Sequence, residues 1–390
     1  MGKLLISHRY NRLPLLSSDP GGFSRSWSYK TYPGTKLNNF AIFAKIFFRM
    51  KRKGKYYLLA AFAALAVTVC VGGYSAWQYF WGGAVARDAV VLVPTGSDFD
   101  RLTDSLRRSG ALRNVRKFVR IARIRGLDET VRPGRYKLDA GMTYAALIDR
   151  LKQGLQAPVR VTFNNVRTLD RLAGSVGRRL ETDSATLARA LLSDSTARAY
   201  GYAPQTFIGM FIPNTYEMYW NSSADDFIRR MKKESDRFWK NRDAKLARTG
   251  LSRDGAMTLA SIVYEETKRK DEMPVVAGVY INRLKRGMPL QADPTVKFAV
   301  GDFSIKRVLH THLAVDSPYN TYKYPGLPPG PICMPSIAAI DAVLDYADHD
   351  YLYFCAKDDL SGAHNFAKTL SEHNRNAAAY VRALNMLKIK

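Results

Sequence analysis

One glutamate on an otherwise apolar helical face is the residue of this sequence whose type and spacing best fit catalysis. The segment Met257–Thr267 predicts a helix, and at 100° per residue four of its side chains share one stripe: Leu259, Ile262, Val263 and Glu266. Burial of a carboxyl group on such a stripe disfavours the charged form and raises its pKa towards neutrality. Glu266 therefore has the profile of a general acid that donates a proton at neutral pH.

The same spacing also fits a purely structural role for Glu266. In that alternative the carboxylate is buried and forms an ion pair with Arg283 or another base. The adjacent Glu265 points about 100° away and, with the basic run Lys268–Lys270, fits a solvated face. Periodicity alone leaves both roles of Glu266 open.

A second helix follows, and polar side chains from its last turn and from later loops are interleaved with aromatic rings. This helix is predicted to begin at Pro274, a favourable first position, and to stop at Gly287. The polar and aromatic residues are Asn282, Arg283, Gln291, Asp293, Tyr319, Asn320, Thr321 and Tyr322. Sugar hydroxyls need hydrogen-bonding groups and the apolar faces of sugar rings stack on aromatic rings, so the mixture is typical of a carbohydrate site. Spacing does not establish that these residues converge.

Metal-dependent and nucleophilic chemistry fit the sequence less well. Four histidines could be metal ligands: His310, His312, His364 and His373. They lack an HExxH spacing and a carboxylate companion, which favours loop or core roles. The three cysteines, Cys70, Cys333 and Cys355, lie far apart, and no serine sits in a GxSxG turn. We therefore expect no metal and no cofactor, and a pairing of Cys333 with Cys355 stays open.

The composition is that of a globular, strongly basic protein. The chain has 390 residues, 46% of them hydrophobic, which excludes a wholly disordered protein, and 60 Lys and Arg against 34 Asp and Glu give a net charge of +26. Residues 1–55 hold twelve basic residues and one acid, Asp19, without helical or strand periodicity. We expect this segment to be disordered and attracted to anionic lipids. No fold or base-reading motif accompanies the charge, so nucleic-acid binding is disfavoured.

An uncharged stretch from Tyr56 to Ala86 predicts one membrane-spanning helix over residues 56–81. Aromatic residues cluster at both of its ends, and no polar face marks it as the core helix of a soluble protein. Basic residues crowd before it, whereas Arg87 is offset by Asp88 after it, so the N-terminus is predicted to be cytoplasmic and the remainder extracytoplasmic. The run is too long and begins too late for a cleaved signal peptide.

The part beyond the membrane is predicted to be α+β. After a linker at Gly82–Asp88, residues 89–158 alternate short strands with amphipathic helices and form a small domain. Leu169–Leu172 echoes Phe99–Leu102, which indicates either a strand–loop–helix repeat or two unrelated helix starts. From about residue 207 onward, loops rich in Pro, Gly, Asn, Tyr and Phe are typical of binding or catalytic loops.

Six sequence blocks in this order resemble one known family, the YceG-like endolytic murein (peptidoglycan) transglycosylases. They are MFIPNTYE (Met210–Glu217), LASIVYEET (Leu259–Thr267), VYINRL (Val279–Leu284), LQADPTV (Leu290–Val296), SPYNTY (Ser317–Tyr322) and GLPPGPI (Gly326–Ile332). HNFA (His364–Ala367) and EHN (Glu372–Asn374) also agree. At Tyr264 the sequence departs from relatives, which often carry Glu there. The resemblance covers residues 89–387.

The resemblance implies a single-pass inner-membrane lyase without a cofactor. It implies a LysM-like domain at residues 89–158 and a YceG-like catalytic domain at residues 159–387. The enzyme would cut nascent glycan strands internally at the β-1,4 bond after N-acetylmuramic acid, leave 1,6-anhydro ends and terminate strand elongation. The family's catalytic Glu, directly before Thr, corresponds to Glu266.

The remaining site residues and partners follow as expectations from this function. We expect six residues to position the substrate and stabilise the transition state: Asn282, Arg283, Gln291, Asp293, Tyr319 and Asn320. The partners would be nascent glycan strands, the membrane and peptidoglycan synthases, but not nucleic acid. The alternative is a membrane-anchored glycan-binding scaffold for cell-wall synthesis that does not cut.

Overall fold

The N-terminal part of the structure is helical. The computed structural model describes residues 37–49, 51–305 and 307–386, and it divides into one unit that ends at Ala76 and one that begins at Trp77. Its first two helices are α1 (Leu37–Arg49) and α2 (Arg52–Trp81). No residue of α2 is buried, and the helix is long and apolar enough to cross a membrane by length and composition. It ends at the predicted residue and begins at Arg52 rather than Tyr56.

Helix α1 differs from the disorder expected for residues 1–55. Its sequence, LNNFAIFAKIFFR, is mostly apolar and contains neither Pro nor Gly, so nothing in it interrupts a helix. Residues 1–36 lie outside the described residues, and their expected disorder stays a prediction.

The first hydrophobic core of the second unit matches the small α+β arrangement predicted after the membrane helix. Its elements are β1 (Ala89–Val93), α3 (Phe99–Ser109), α4 (Val115–Ile124), β2 (Gly134–Leu138) and α5 (Tyr144–Gln153). β1 and β2 pair antiparallel, with Ala89 opposite Leu138. The predicted apolar faces are buried, among them Leu102, Leu106, Phe118, Leu147 and Ile148. Gly110 ends α3 in the left-handed conformation, at φ 60°.

The predicted linker Gly82–Asp88 is part of this core rather than a free connection. Ala84 and Val85 are fully buried, and both of their amides donate to the carbonyl of Met142, at 2.7 and 3.2 Å. Burial of these two apolar side chains removes their surface from water, which favours the packed segment over an extended, hydrated one. Tyr79 and Phe80, in the last turns of α2, pack against the same core.

A second core repeats the order of the first. It contains β3 (Val159–Phe163), α6 (Leu169–Gly177), α7 (Ser184–Leu191), α8 (Asp194–Ala199), a 3₁₀ turn at Phe207–Met210, β4 (Asn214–Met218) and α9 (Ala224–Lys240). β3 and β4 pair antiparallel, as β1 and β2 do. Both echoing segments, Phe99–Leu102 and Leu169–Leu172, open the first helix after a strand, behind the capping side chains of Asp98 and Thr168. The structure therefore favours the repeat over two unrelated helix starts.

The third core surrounds helix α11. Its elements are α10 (Asp243–Thr249), α11 (Arg253–Glu266), α12 (Met273–Lys285), α13 (Asp293–Val300), α14 (His310–Leu313), α15 (Ile337–Leu344), β5 (Tyr353–Ala356), β6 (His364–Ala367) and α16 (Leu370–Met386). Every residue from Ala256 to Val263 is buried, because α12, α13 and α15 pack around α11. The two predicted helices of this region are confirmed within a few residues.

The fold is thus mixed α+β, as predicted. The predicted boundary near residue 158 falls between α5 and β3, and residues 159–386 hold the second and third cores. The division into a domain at residues 89–158 and a domain at residues 159–387 stays a proposal.

Candidate active site

Glu266 is the last residue of α11 and lies half-buried at the wall of a pocket. Its Oε1 accepts a hydrogen bond of 2.9 Å from the hydroxyl of Tyr280. Burial raises the pKa of Glu266 to about 7, the hydrogen bond from Tyr280 opposes this rise, and the negative charge of Asp293 adds to it. The carbonyl end of a helix also disfavours a negative charge. The Glu266 carboxyl therefore takes up and releases its proton nearer to neutral pH than an ordinary glutamate does.

The ion pair between Glu266 and Arg283, which the structural alternative required, does not form. Arg283 is buried, and its guanidinium donates to three backbone carbonyls, those of Pro289, Leu290 and Leu352, at 2.6 to 3.1 Å. No Lys or Arg of the described residues lies within ion-pair distance of the Glu266 carboxyl. Burial therefore outweighs the weaker attraction of Lys297, which lies beyond ion-pair distance, and the carboxyl keeps the raised pKa that general-acid catalysis needs.

The pocket beside Glu266 is small and polar. Its volume is about 260 Å³, and it is lined by Glu266, Tyr280, Arg283, Leu290, Gln291, Asp293, Tyr322, Phe354 and His373. A larger depression lies beside Glu217 and Asp226, but both of these carboxylates are exposed. The chemistry of the carboxyl group, rather than the size of the cavity, therefore marks the pocket at Glu266 as the candidate active site.

Asp293 supplies a second carboxylate to this pocket. It is the first residue of α13, where the amide groups of a helix N-terminus favour negative charge. Its Oδ1 accepts a hydrogen bond of 2.6 Å from the hydroxyl of Tyr322. Burial and the neighbouring Asp293 raise the pKa of Tyr322, so that phenol stays protonated and remains a donor. The two carboxyl groups of the pocket are thus in different environments, and each is paired with a tyrosine hydroxyl.

Gln291 reaches the pocket from a strained turn. Its φ is 49°, in the left-handed region that few residues other than Gly adopt. The Gln291 amide donates to the carbonyl of Thr321 at 3.0 Å, and the next amide, that of Ala292, donates to the Thr321 hydroxyl at 3.0 Å. Arg283 donates to Gln291 Oε1 at 3.3 Å. These contacts hold the turn in place and fix the side-chain amide at the pocket wall.

Three residues expected at the site lie outside the pocket lining. Asn282 donates to the carbonyls of His349 and Tyr351, at 2.6 and 3.1 Å. Asn320 is fully buried and donates to two backbone carbonyls of the preceding loop, at 2.8 and 2.9 Å. Tyr319 packs its ring against that of Phe298, with centroids 4.6 Å apart. Their polar or aromatic groups already have protein partners, so they shape the loops around the pocket.

Comparison with known proteins places the chain in a family. The model of the YceG-like family matches residues 91–379, well over half of the sequence. The chain belongs to this family. The endolytic murein transglycosylase of Bacillus subtilis (strain 168) is 30% identical over 310 residues, which cover 75% of this chain and 85% of that protein. The endolytic murein transglycosylase of Streptococcus pneumoniae (strain D39 / NCTC 7466) is 27% identical over 360 residues, which cover 83% of this chain and 65% of that protein.

A solved structure of the same family is also similar. The crystal structure of a YceG-like protein from Listeria monocytogenes has 28% sequence identity to this chain and a TM-score of 0.49. The match covers 74% of this chain and 98% of that one.

Four lining residues of this YceG-like chain were not assigned to a sugar site from the sequence, namely Tyr280, Leu290, Phe354 and His373, and Tyr322 was named only in the mixture of polar and aromatic residues. Tyr280 lies in the VYINRL block, Tyr322 in SPYNTY and His373 in EHN. Tyr280 precedes Arg283 by three residues and so shares its helical face, a signal that could have identified it. Phe354 and His373 come from β5 and α16, and only the tertiary fold brings them to α11.

His373 is the most unusual of these residues. Its Nδ1 is buried and has no hydrogen-bond partner within the described structure. Burial lowers the pKa of the imidazole, which therefore stays neutral at pH 7. The ring stacks on Tyr353, with centroids 5.5 Å apart.

The other histidines and the cysteines have structural surroundings. His364 pairs through Nδ1 with Glu272 at 2.7 Å, and His310 and His312 lie in the short helix α14. Residues 37–49, 51–305 and 307–386 contain no group of three or more His, Cys, Asp or Glu that could hold a metal ion. Cys70, Cys333 and Cys355 are all free thiols, so Cys333 and Cys355 do not pair.

Proposed function

We propose that this protein is an endolytic peptidoglycan lytic transglycosylase. The curated relatives carry the name endolytic murein transglycosylase, which supports action on peptidoglycan. The proposed reaction breaks the β-1,4 bond between N-acetylmuramic acid and N-acetylglucosamine within a nascent strand. The products would be a 1,6-anhydro-N-acetylmuramic acid end and a free N-acetylglucosamine end, and strand elongation would stop.

The observation that carries the proposal is the state of Glu266. A half-buried carboxyl with a pKa of about 7, hydrogen-bonded to Tyr280 and free of an ion-pair partner among the described residues, can both donate and accept a proton at neutral pH. Glycosidases that use water generally need two carboxyl groups in distinct roles. A lytic transglycosylase needs only one such group, because the nucleophile belongs to the substrate.

In the proposed mechanism, every bond and proton is accounted for by Glu266 and the substrate, without water or a cofactor. Protonated Glu266 donates its proton to the glycosidic oxygen, and the bond from that oxygen to C1 of N-acetylmuramic acid breaks. The C6 hydroxyl oxygen of the same sugar forms the new bond to C1. The Glu266 carboxylate then takes the proton of that hydroxyl and regains its starting state. The positive charge that develops at C1 is stabilised by negative groups in the pocket.

The other pocket residues have supporting roles in this proposal. Asp293 is the carboxylate that faces the developing positive charge, and Tyr322 holds it in place. Gln291 offers an amide for sugar hydroxyls, and Arg283 fixes the loop that carries Gln291. Asn282, Tyr319 and Asn320 contribute by positioning loops rather than by contact with the sugar, because their side chains are already engaged.

We further propose that α2 anchors the enzyme in the inner membrane, with the N-terminus in the cytoplasm and the pocket outside. The basic residues before Tyr56, the uncharged stretch and the absence of buried residues in α2 support a single span in this orientation. Residues 89–158 would be the LysM-like domain that the family resemblance implies, and peptidoglycan synthases would be partners. The non-cutting scaffold remains the competing function that the following experiment separates.

The experiment compares cleavage by three full-length proteins in detergent. Lipid-linked nascent glycan is incubated with the wild type, with Glu266→Gln and with Glu217→Gln, a matched control at an exposed carboxylate on β4. We expect anhydro-ended fragments by mass spectrometry from the wild type and the control, and none from Glu266→Gln, which should still bind glycan. Equal cleavage by Glu266→Gln would remove this residue from the mechanism, and binding without cleavage by the wild type would identify a scaffold.

A further inference from the structure

The exposed face of α4 carries a row of arginines without acidic partners. Arg116, Arg120 and Arg123 follow one another at spacings of four and three residues and lie within about 60° around the helix axis. All three are exposed, and none forms an ion pair with a carboxylate of the described residues. Arg107 and Arg125, on either side of the row, do pair, with Asp104 and Asp149. We call Arg116, Arg120 and Arg123 the arginine stripe.

A large apolar side chain lies next to the arginine stripe. Ile124 is 64% exposed and comes directly after Arg123 at the end of α4. The opposite face of the helix, with Phe118 and Ile121, is fully buried in the first core. A helix that exposes basic residues together with an apolar side chain has the character of a helix that lies at a membrane surface.

α4 is also fixed to the end of the apolar helix α2. Lys117, next to the stripe, donates to the backbone carbonyl of Gln78 at 3.1 Å, and its ammonium lies 5.1 Å from the ring of Tyr79. Tyr79 and Phe80 pack on the core that holds α4. The aromatic end of a spanning helix lies at the level of the lipid headgroups. The arginine stripe therefore begins within one turn of a residue that contacts α2 close to that level.

We propose that the arginine stripe binds the phosphate groups of anionic phospholipids in the leaflet from which α2 emerges. The inference rests on the membrane anchoring proposed above and goes beyond the proposed catalysis. Arginine is suited to this role because its planar guanidinium donates two hydrogen bonds to one phosphate. The contact with α2 and the exposed Ile124 favour a lipid surface over the carboxylates of peptidoglycan stem peptides. Docking would hold the first core against the bilayer.

The test measures hydrogen exchange of the full-length protein in lipid nanodiscs. One preparation contains only phosphatidylcholine and the other an equal mixture of phosphatidylcholine and phosphatidylglycerol. We expect the amides of Val115–Ile124 to exchange about ten-fold more slowly, or slower still, in the anionic nanodiscs. High salt should remove the difference, because it screens the attraction. Helix α7 (Ser184–Leu191) should exchange equally in both preparations.

Three variants separate charge from structure. Replacing Arg116, Arg120 and Arg123 by Gln together should abolish the lipid-dependent protection, and replacing them by Lys should keep most of it. A matched control replaces three exposed basic residues of α9 and α10, namely Lys233, Lys240 and Arg248, each by Gln. This control should show the same lipid-dependent protection as the wild type. Murein cleavage in detergent should be unchanged in every variant, so loss of docking and loss of the proposed catalysis are distinguishable.

Two outcomes would overturn the inference. Equal exchange of Val115–Ile124 in neutral and anionic nanodiscs would mean that the stripe does not recognise anionic lipid. Protection that appears in phosphatidylcholine nanodiscs only when glycan strands with stem peptides are added would assign the arginine stripe to peptidoglycan instead.

Discussion

Two adjacent carboxyl groups at the end of α11 differ in every property that matters for catalysis. Glu265 forms an ion pair of 2.8 Å with Arg167 and lies 3.8 Å from Lys268. Glu266 has no such partner in the described part of the chain and accepts only the hydroxyl hydrogen of Tyr280. Their side chains leave the helix about 100° apart, so one faces the loop before α6 and the other faces the pocket.

Glu265 and Glu266 have the same side chain, so their different contacts rather than their residue type determine their different roles. The ion pair with Arg167 makes Glu265 a contact that joins two parts of the chain. Glu266 has no ion pair in the described part of the chain, and burial raises its pKa to about 7. The interpretation of Glu265 as part of a solvated face was wrong in this respect, since its side chain is only 17% exposed and is paired.

The largest expected difference between the two positions is in activity. Glu266→Gln should lower the rate of glycan cleavage by about 10²- to 10⁴-fold, because a general acid typically contributes that much. Glu265→Gln removes an ion pair but no reacting group and should lower the rate by less than about ten-fold. Initial rates of anhydro-end formation measure both. A comparable loss in both variants would show that the two carboxyl groups act together.

A second difference is expected in the pH dependence of stability. The pKa of Glu266 is about 7 in the folded protein and near its ordinary 4.5 when unfolded. The folded state therefore holds this proton more tightly, and its stabilising effect is complete below about pH 4.5 and lost as the pH rises through 7. The loss should be up to about 3 kcal/mol in the free energy of unfolding.

Urea unfolding of the wild type and Glu266→Gln at about pH 5 and about pH 8 measures this effect. Relative to the wild type, the variant should gain stability on going to the higher pH. Glu217→Gln, at an exposed carboxylate on β4, is the control. A wild type and a Glu266→Gln variant whose stabilities change in parallel would mean that the pKa of Glu266 is ordinary.

Much of this contrast could be predicted from the sequence. The spacing of Leu259, Ile262 and Val263 identified the buried face of α11 and placed Glu266 at its end, because helical periodicity is a local property. Short-range signals also identified α12, from Pro274 near its start, and the helices of the first core. These predictions needed only neighbouring residues.

The residues that the fold brings from distant parts of the chain to the two carboxyl groups could not be predicted in the same way. Arg167 lies about 100 positions before Glu265 in the sequence, and His373 a similar distance after Glu266. Contacts of that kind depend on how the elements pack, which periodicity does not encode. The same limit explains why Asn282 and Asn320 were expected at a sugar site but lie outside the pocket lining. Their amides are of a suitable type, but they donate to backbone carbonyls that only the fold brings near them.

Tyr280→Phe should have a smaller effect, on the pKa of Glu266. The hydroxyl of Tyr280 donates to Glu266 and favours its charged form, and a raised pKa keeps that phenol protonated. Without the hydrogen bond, worth about 1 kcal/mol, the pKa of Glu266 should rise by about half to one unit. The alkaline limb of the pH–rate profile should then move upward by the same amount.

The matched control for this variant is Tyr264→Phe, on the same helix as Glu266. The ring of Tyr264 lies under the ammonium of Lys268, at 3.7 Å, and its hydroxyl does not contact Glu266 in the described structure. The control should leave the alkaline limb where it is. A limb that moves downward in Tyr280→Phe would contradict the assigned direction of the hydrogen bond.

The smallest effect concerns the ion pair of Glu265. Arg167 and Glu265 expose 33% and 17% of their side chains, so solvent screens their attraction and the coupling free energy should be about 1 kcal/mol or less. Unfolding of Arg167→Gln, Glu265→Gln and the double variant measures this coupling. Each single variant should be destabilised, and the double variant by less than the sum, because one lost contact is counted twice. Strictly additive losses would mean that the pair does not hold the loop before α6 to α11.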